Sequence, residues 1–207
     1  MSKYRKLLSV LVLLSLSACS SEKTVNGLPI EPGAYLAGAN LNKAGLEEAN
    51  LAGADLSGAD LSFSELDRAN LYGAILTNAN LQFAHLEEVN LAGANLEGAD
   101  LRNAYGSGAN FSNAILAAAN LSRSQMGVDE IGSIRVGPNF VNANLAGAVL
   151  YEADLEGANF SGAVLYAADL RNADLSGANL SGADLTSADL TGANLTGATM
   201  PDGTKNP

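Results

Sequence analysis

Tryptophan is absent from this 207-residue chain, histidine occurs once, cysteine occurs once, and aromatic residues make up only 5%. With one histidine, the many Ser and Thr hydroxyls have no imidazole base nearby, which removes the usual arrangement for nucleophilic catalysis. Glycine is plentiful, but it follows a five-residue beat and forms no phosphate-binding loop. Paired carboxylates exist without any sign of a pocket that would exclude water and shift their pKa values. The chain is therefore read as a non-enzyme, with no cofactor and no metal centre expected. Cationic residues are also scarce, with 11 Lys and Arg against 22 Asp and Glu, a formal net charge of −11. Such a surface repels nucleic acid and anionic membrane, and can attract basic partners or cations.

What the chain does contain is a phrase of five residues. Stepping in fives from Leu36 to Leu121 meets 18 centres, of which 16 are Leu, one is Phe111 and one is Gly106. Two residues before each centre stands a small residue, Ala in 16 cases and otherwise Ser64 or Val89. Asn or Asp usually lies between them. The phrase resumes at Phe140 and runs through 13 centres to Met200. A period of five suits neither the 3.6 of an α-helix nor the 2 of a flat strand. Regularly spaced Gly, Asn and Asp also disfavour a long helix. Short-period self-similarity is the mark of a solenoid, whose units bury their apolar side only by stacking. Leu is expected to fill the lumen and Ala to allow close approach at the corners. The second residue after each centre, often Gly or Asn, suits a turn that needs positive φ.

Stretches such as ANLAGADLSGADLS (Ala49 to Ser62) and ADLSGANLSGADLTSADLTGANLTGA (Ala173 to Ala198) resemble the consensus of the pentapeptide-repeat family. The resemblance covers roughly four-fifths of the chain. It implies an all-β fold, a right-handed quadrilateral parallel β-helix in which one pentapeptide makes one side and about eight coils stack into a rod.

Residues 1–18 read as a targeting segment rather than structure. Lys3, Arg5 and Lys6 form a basic start, and Leu7 to Leu16 is an apolar run well short of the ~20 residues that span a bilayer. Leu16-Ser17-Ala18-Cys19 is similar to a bacterial lipobox, which implies diacylglycerol attachment at Cys19 and cleavage before it. An ordinary secretory signal is the alternative. Loss of residues 1–18 removes three cations and no anion, moving the net charge from −11 to about −14. Ser20, in place of the Asp that typically retains such proteins in the inner membrane, favours the outer membrane, facing the periplasm. Residues 19–33 are expected to be the lipidated Cys with a tether and N-terminal cap, with Leu28, Ile30 and Tyr35 as capping candidates. The first repeat block spans 34–121, the second 140–200, and 201–207 is a polar tail that can be disordered.

Between the blocks, the step from Leu121 to Phe140 across residues 122–139 is 19 residues, one short of a full coil. The continued register would give Met126, Ile131 and Val136 as centres, with Ser124, Asp129 and Ile134 at the small positions. A carboxylate at Asp129 would be costly to bury. A degenerate coil, partly looped out around Gly127 to Gly137, is the expectation. It reads as a hinge, a contact loop or a tolerated insertion.

Residues 20 apart should stack at the ~4.8 Å spacing of neighbouring strands. That places Asn50, Asn70, Asn90 and Asn110 in one hydrogen-bonding ladder. It also stacks Phe63 on Phe83 outside the lumen, as a packing rib or an exposed aromatic patch. The side with centres Leu46, Leu66, Leu86 and Gly106 carries Glu47, Glu48, Glu65, Asp67, Arg68, His85, Glu87 and Glu88. Glu47, Asp67 and Glu87 form one column, and Arg68 lies between Glu48 and Glu88 in the next. Stacked like charges destabilise a sheet, so this side is the candidate interaction face; a solvated acidic face is the plain alternative. His85 can pair with Glu65, though a lone histidine on a flat face reads as a surface residue rather than a ligand or base; a cation could bridge the oxygens, but no metal-loop spacing is present.

Two non-enzymatic functions follow. One is a lipid-anchored cell-envelope scaffold, a rod of ~40 Å presenting its acidic side to an envelope protein, with a homodimer through a solenoid end as a further partner. The other comes from the family resemblance: an acidic rod that mimics DNA and occupies a type II topoisomerase. The signal preceding Cys19 argues against a cytoplasmic target.

Overall fold

The computed structural model describes residues 24–128 and 137–207. The targeting segment, Cys19 and the positions Asp129, Ile131, Ile134 and Val136 lie outside the described residues. No helix occurs among those described.

The chain winds as a four-sided parallel β-helix. Isolated parallel bridges join residues 20 apart on each side, as in Tyr35↔Asp55, Asn40↔Asp60, Gly45↔Glu65 and Asn50↔Asn70. Each side is so short that one residue makes the bridge. Leu36 N–H donates to Asp55 O at 2.7 Å, and Asp55 N–H returns to Ala34 O at 2.9 Å. Between sides the chain turns: Ala39 N–H donates to Leu36 O at 3.0 Å, and Gly38, the third residue of that turn, has φ +67°. This is the pattern of a type II turn, which demands positive φ at its third residue. Every second residue after a first-block centre adopts it, including Glu48, Phe63, Arg68, Phe83 and Glu88. The Asn or Asp before the centre has its own task. Its carboxyl or amide oxygen accepts the N–H two residues on, as Asp60 does from Ser62 at 3.1 Å, an Asx motif that fixes the corner.

The lumen follows from this alternation. The Leu centres from Leu41 to Leu180 are fully buried, with the Ala column packed between them. Phe111, Phe140 and Phe160 replace Leu in three successive coils and stack in parallel, 4.8 and 4.7 Å between ring centroids. Gly106 leaves a gap in its column, and the Met126 side chain of the next coil fills it.

The break is narrower than the sequence reading placed it. Ser124 and Met126 satisfy the small and large apolar positions and are buried, so residues 122–126 stay in the ladder: Gln125 N–H donates to Ala104 O at 2.8 Å and Met126 N–H to Asp154 O at 3.1 Å. The bridge offset then rises from 20 to 29 for Asn110↔Asn139, Ile115↔Asn144, Asn120↔Val149 and Gln125↔Asp154, and returns to 20 at Asn139↔Asn159. Nine residues are thus inserted at one corner of one coil, and Phe140 follows Met126 as the next described lumen centre.

Both ends are finished by short antiparallel pairings. A hairpin of β1 (Thr24–Val25) and β2 (Leu28–Pro29) precedes the first coil. Its turn, Asn26-Gly27, has φ +53° and +75°, the two positive values that a two-residue hairpin loop requires. Val25, Leu28 and Ile30 pack on the core. Tyr35, expected in the cap, instead points outward at 77% exposure, because it occupies the bridge position before Leu36, where side chains face solvent. At the other end the polar tail is ordered: Lys205 bridges Thr199, and Asn206 Nδ2 donates to Leu195 O at 2.8 Å.

Candidate interaction face

One side of the rod collects the acidic residues singled out above. Its bridge column reads Gly45, Glu65, His85, Tyr105, Gln125, Asp154 and Asp174. The corner after it carries the 47/67/87 and 48/68/88 columns, set there by the type II turns. Glu47, Glu48, Glu65, Arg68, His85 and Glu88 are exposed, while Asp67 and Glu87 are half-buried.

Opposite charges pair across coils only in part. Arg68 reaches to Glu48, with Nη2 3.2 Å and Nε 3.3 Å from Oε1. In the neighbouring column Asp67 Oδ1 accepts the backbone N–H of Glu87 at 3.0 Å. His85 faces Glu65 across the bridge, yet its ion-pairing contact is with Glu87, Nδ1 to Oε2 at 3.9 Å. The other face of the imidazole lies on Tyr105, 5.1 Å between centroids at 28°. Glu65 is bonded to the Glu47 carboxyl, and that hydrogen bond together with the like charge pushes its pKa up. Two adjacent carboxylates repel each other, which disfavours the charged form of each. This side therefore holds like charge against its own repulsion.

The insertion adds a feature that counting in twenties does not reveal. Because the offset at this corner is 29, Asp154 lies directly below Gln125. A cavity of about 150 Å³ opens there, lined by Glu87, Tyr105, Ser107, Gln125, Val128 and Asp154. Gly127 sits against the Asp154 carboxylate so closely that a Cβ would collide with it. Gln125 and Asp154 were missed because the sequence reading stopped the columns at the break, and Tyr105 because only the charged residues of this side were singled out. The signal was present as the 14-residue step from Met126 to Phe140 in place of five.

The aromatic pair sits at the preceding corner. Phe63 and Phe83 stack with centroids 4.9 Å apart and 7° between planes, at 49% and 36% exposure. The asparagine ladder forms as the spacing suggests: Asn70 Nδ2 donates to Asn50 Oδ1 at 3.1 Å, Asn90 to Asn70 at 3.1 Å and Asn110 to Asn90 at 3.4 Å.

No curated protein matches the chain. Among solved structures, it is similar to QnrB1, a plasmid-mediated fluoroquinolone resistance protein, at 23% identity over 73% of this chain and 72% of that one, with a TM-score of 0.49. It is also similar to HetL, a pentapeptide repeat protein involved in heterocyst differentiation regulation from the cyanobacterium Nostoc sp. strain PCC 7120, at 34% identity over 81% of this chain and 91% of that one, TM-score 0.33. A pentapeptide repeat protein from the Arabidopsis thaliana thylakoid lumen aligns at 28% identity over 57% and 66%, TM-score 0.28. The family profile described as pentapeptide repeats matches in eight copies, across residues 33–62, 54–91, 84–123, 137–166 and 163–200. Pentapeptide-repeat proteins are generally non-catalytic structural scaffolds. With the five-residue register, the stacked lumen and this match in agreement, the chain belongs to the pentapeptide-repeat family, and its fold is that family's right-handed quadrilateral β-helix.

Proposed function

We propose that this protein is a non-catalytic scaffold of the bacterial cell envelope, held by lipid on Cys19 at the outer membrane and offering the Glu47–Glu88 side to a basic surface of another envelope protein. The observation that supports this reading is the charge held on that side. Glu47, Glu65, Asp67 and Glu87 crowd together while Arg68 turns away to Glu48, and a basic partner relieves that repulsion on docking. Lipidation rests on the Leu16-Ser17-Ala18-Cys19 pattern. The C-terminal end is the one suited to a second copy, since Leu185, Leu190 and Leu195 there are only partly buried.

The test pairs labelling with crosslinking. Cys19 takes up radiolabelled palmitate in cells, and a photo-crosslinker at position 47 or 87 captures one protein through a basic patch. Charge reversal by Glu47→Lys with Glu87→Lys abolishes that capture. Capture that persists after reversal overturns the choice of face. A protein that stays unprocessed in the cytoplasm and protects a type II topoisomerase would replace this reading with DNA mimicry.

A further inference from the structure

We infer that Asp67, His85 and Glu87 form a binding site for a divalent transition-metal ion, zinc being the reference case. The parallel register brings the three together. Asp67 and Glu87 are 20 apart in one column, and His85 projects from the bridge position two residues before Glu87. One ligand atom from each lies within 4.8 Å of the others, and this is the one such cluster of three among the described residues. With bonds of ~2.0–2.2 Å, the ligand atoms of a tetrahedral zinc stand about 3.4 Å apart. His85 Nδ1 and Glu87 Oε2 are already at 3.9 Å, so small side-chain rotations close the site.

Three further observations bear on a cation there. First, the parts are partly pre-organised: Tyr105 supports the imidazole from one side, and Asp67 Oδ1 is fixed by the Glu87 N–H, which leaves its second oxygen for an ion. Second, Glu87 Oε2 is shielded from solvent and lies 3.9 Å from His85 Nδ1, so the two potential ligand atoms already share one side of the cluster. Third, Asp67 and Glu87 bring two carboxylates of one column to the same imidazole, an accumulation of like charge that a dication relieves. An imidazole with two carboxylates is a borderline donor set, which favours zinc, copper or nickel over calcium and magnesium. Water completes the coordination from the adjoining cavity. This inference stands apart from the docking reading, because it concerns three side chains and an ion and requires no partner.

His85 is the only histidine, so its ring signals in the NMR spectrum of the untagged full chain in detergent are assigned without ambiguity. Cys19→Ser ensures that no thiol competes for zinc in any unlipidated material. Titration with zinc chloride at neutral pH is expected to move the His85 ring signals with one-to-one saturation. Asp67→Asn combined with Glu87→Gln should weaken that response at least tenfold. Glu97→Gln, on another side, should leave it unchanged, and calcium chloride should not produce it. The inference is overturned if a tenfold excess of zinc leaves the His85 signals in place, or if the double variant responds as the parent does.

Discussion

Asn139 donates its side-chain amide to Asn110 Oδ1 at 3.3 Å although 29 residues separate them. The bond continues the ladder that begins at Asn50, across the coil that carries the insertion. It shows that the nine extra residues leave the stacking of the rod intact. Asn110 is held three ways: it donates to Asn90, accepts from Asn139, and accepts the Ser112 N–H at 3.1 Å. Asn110→Ala removes all three, and at roughly 0.5–1.5 kcal/mol for a typical hydrogen bond, with half-buried partners able to recruit water, a net loss of about 1–2 kcal/mol is expected. Urea denaturation followed by circular dichroism measures it. A variant as stable as the parent would show that the ladder is ornament.

Gly106 and Gly98 make a paired prediction with opposite signs. A Cβ on Gly106 would meet Met126 at 3.5 Å and Ala109 at 3.6 Å, which is ordinary contact, and its φ is not positive. Gly106→Ala should therefore stabilise the protein by about 0.4–1 kcal/mol through the unfolded chain. At Gly98, φ is +65° and a Cβ would lie 2.5 Å from Asn78 Oδ1. Gly98→Ala strains the turn and displaces that amide, so its thermal midpoint should fall while that of Gly106→Ala rises.

How much of this was legible follows from what each residue type encodes. The lumen was legible because Leu and Ala recur at fixed steps and nothing else fills a narrow tube. The corner geometry was legible too, since Gly and Asn mark positive φ; what sequence did not reveal is that Phe63 and Arg68 accept the same backbone strain. The hairpin at the start was overlooked although Asn26-Gly27 is a strong turn signal, because polar residues and prolines around it suggested a tether. Tyr35 was assigned by its apolarity when its place in the register already pointed it outward. At the acidic side, columns could be counted but rotamers could not, so His85 was matched with Glu65 when its ion-pairing contact is with Glu87. Asp154 joined that side only through the offset of 29.

The Glu47–Glu65 pair gives stability a definite dependence on pH. The Glu65 pKa is raised by Glu47, so folding favours its protonated form. The contribution is fully present below the unfolded-state pKa and is lost as pH rises through the folded value. Asp169, held down by Arg171, and Asp184, held down by Thr186, act in the opposite direction: their contribution is present above their unfolded values and is lost as pH falls through the folded ones. A difference measurement isolates the pair. Glu47→Gln keeps a hydrogen bond available to Glu65 and removes the repulsion, so the variant should be more stable than the parent at neutral pH, with the gap closing by about pH 3, where both carboxyls are protonated. Equal midpoints at neutral pH would mean that solvent already screens the pair.

The two aromatic stacks separate packing from display. Phe140 lies between Phe111 and Phe160 with no exposure, and Phe63 lies on Phe83 at nearly the same ring spacing but half in water. Phe140→Ala opens a cavity between two rings that cannot collapse inside a tube of fixed width, and the expected loss is about 3–5 kcal/mol. At Phe63, φ is +58°, a conformation that disfavours an L side chain by roughly 1–2 kcal/mol and suits glycine. Phe63→Gly gives up an exposed stack worth ~0.5–1.5 kcal/mol while relieving that strain, so the two effects nearly cancel. Its urea midpoint should match the parent within error. If instead Phe63→Gly unfolds as readily as Phe140→Ala, the outer pair is part of the structural frame, and its exposure is no argument for contact with anything else.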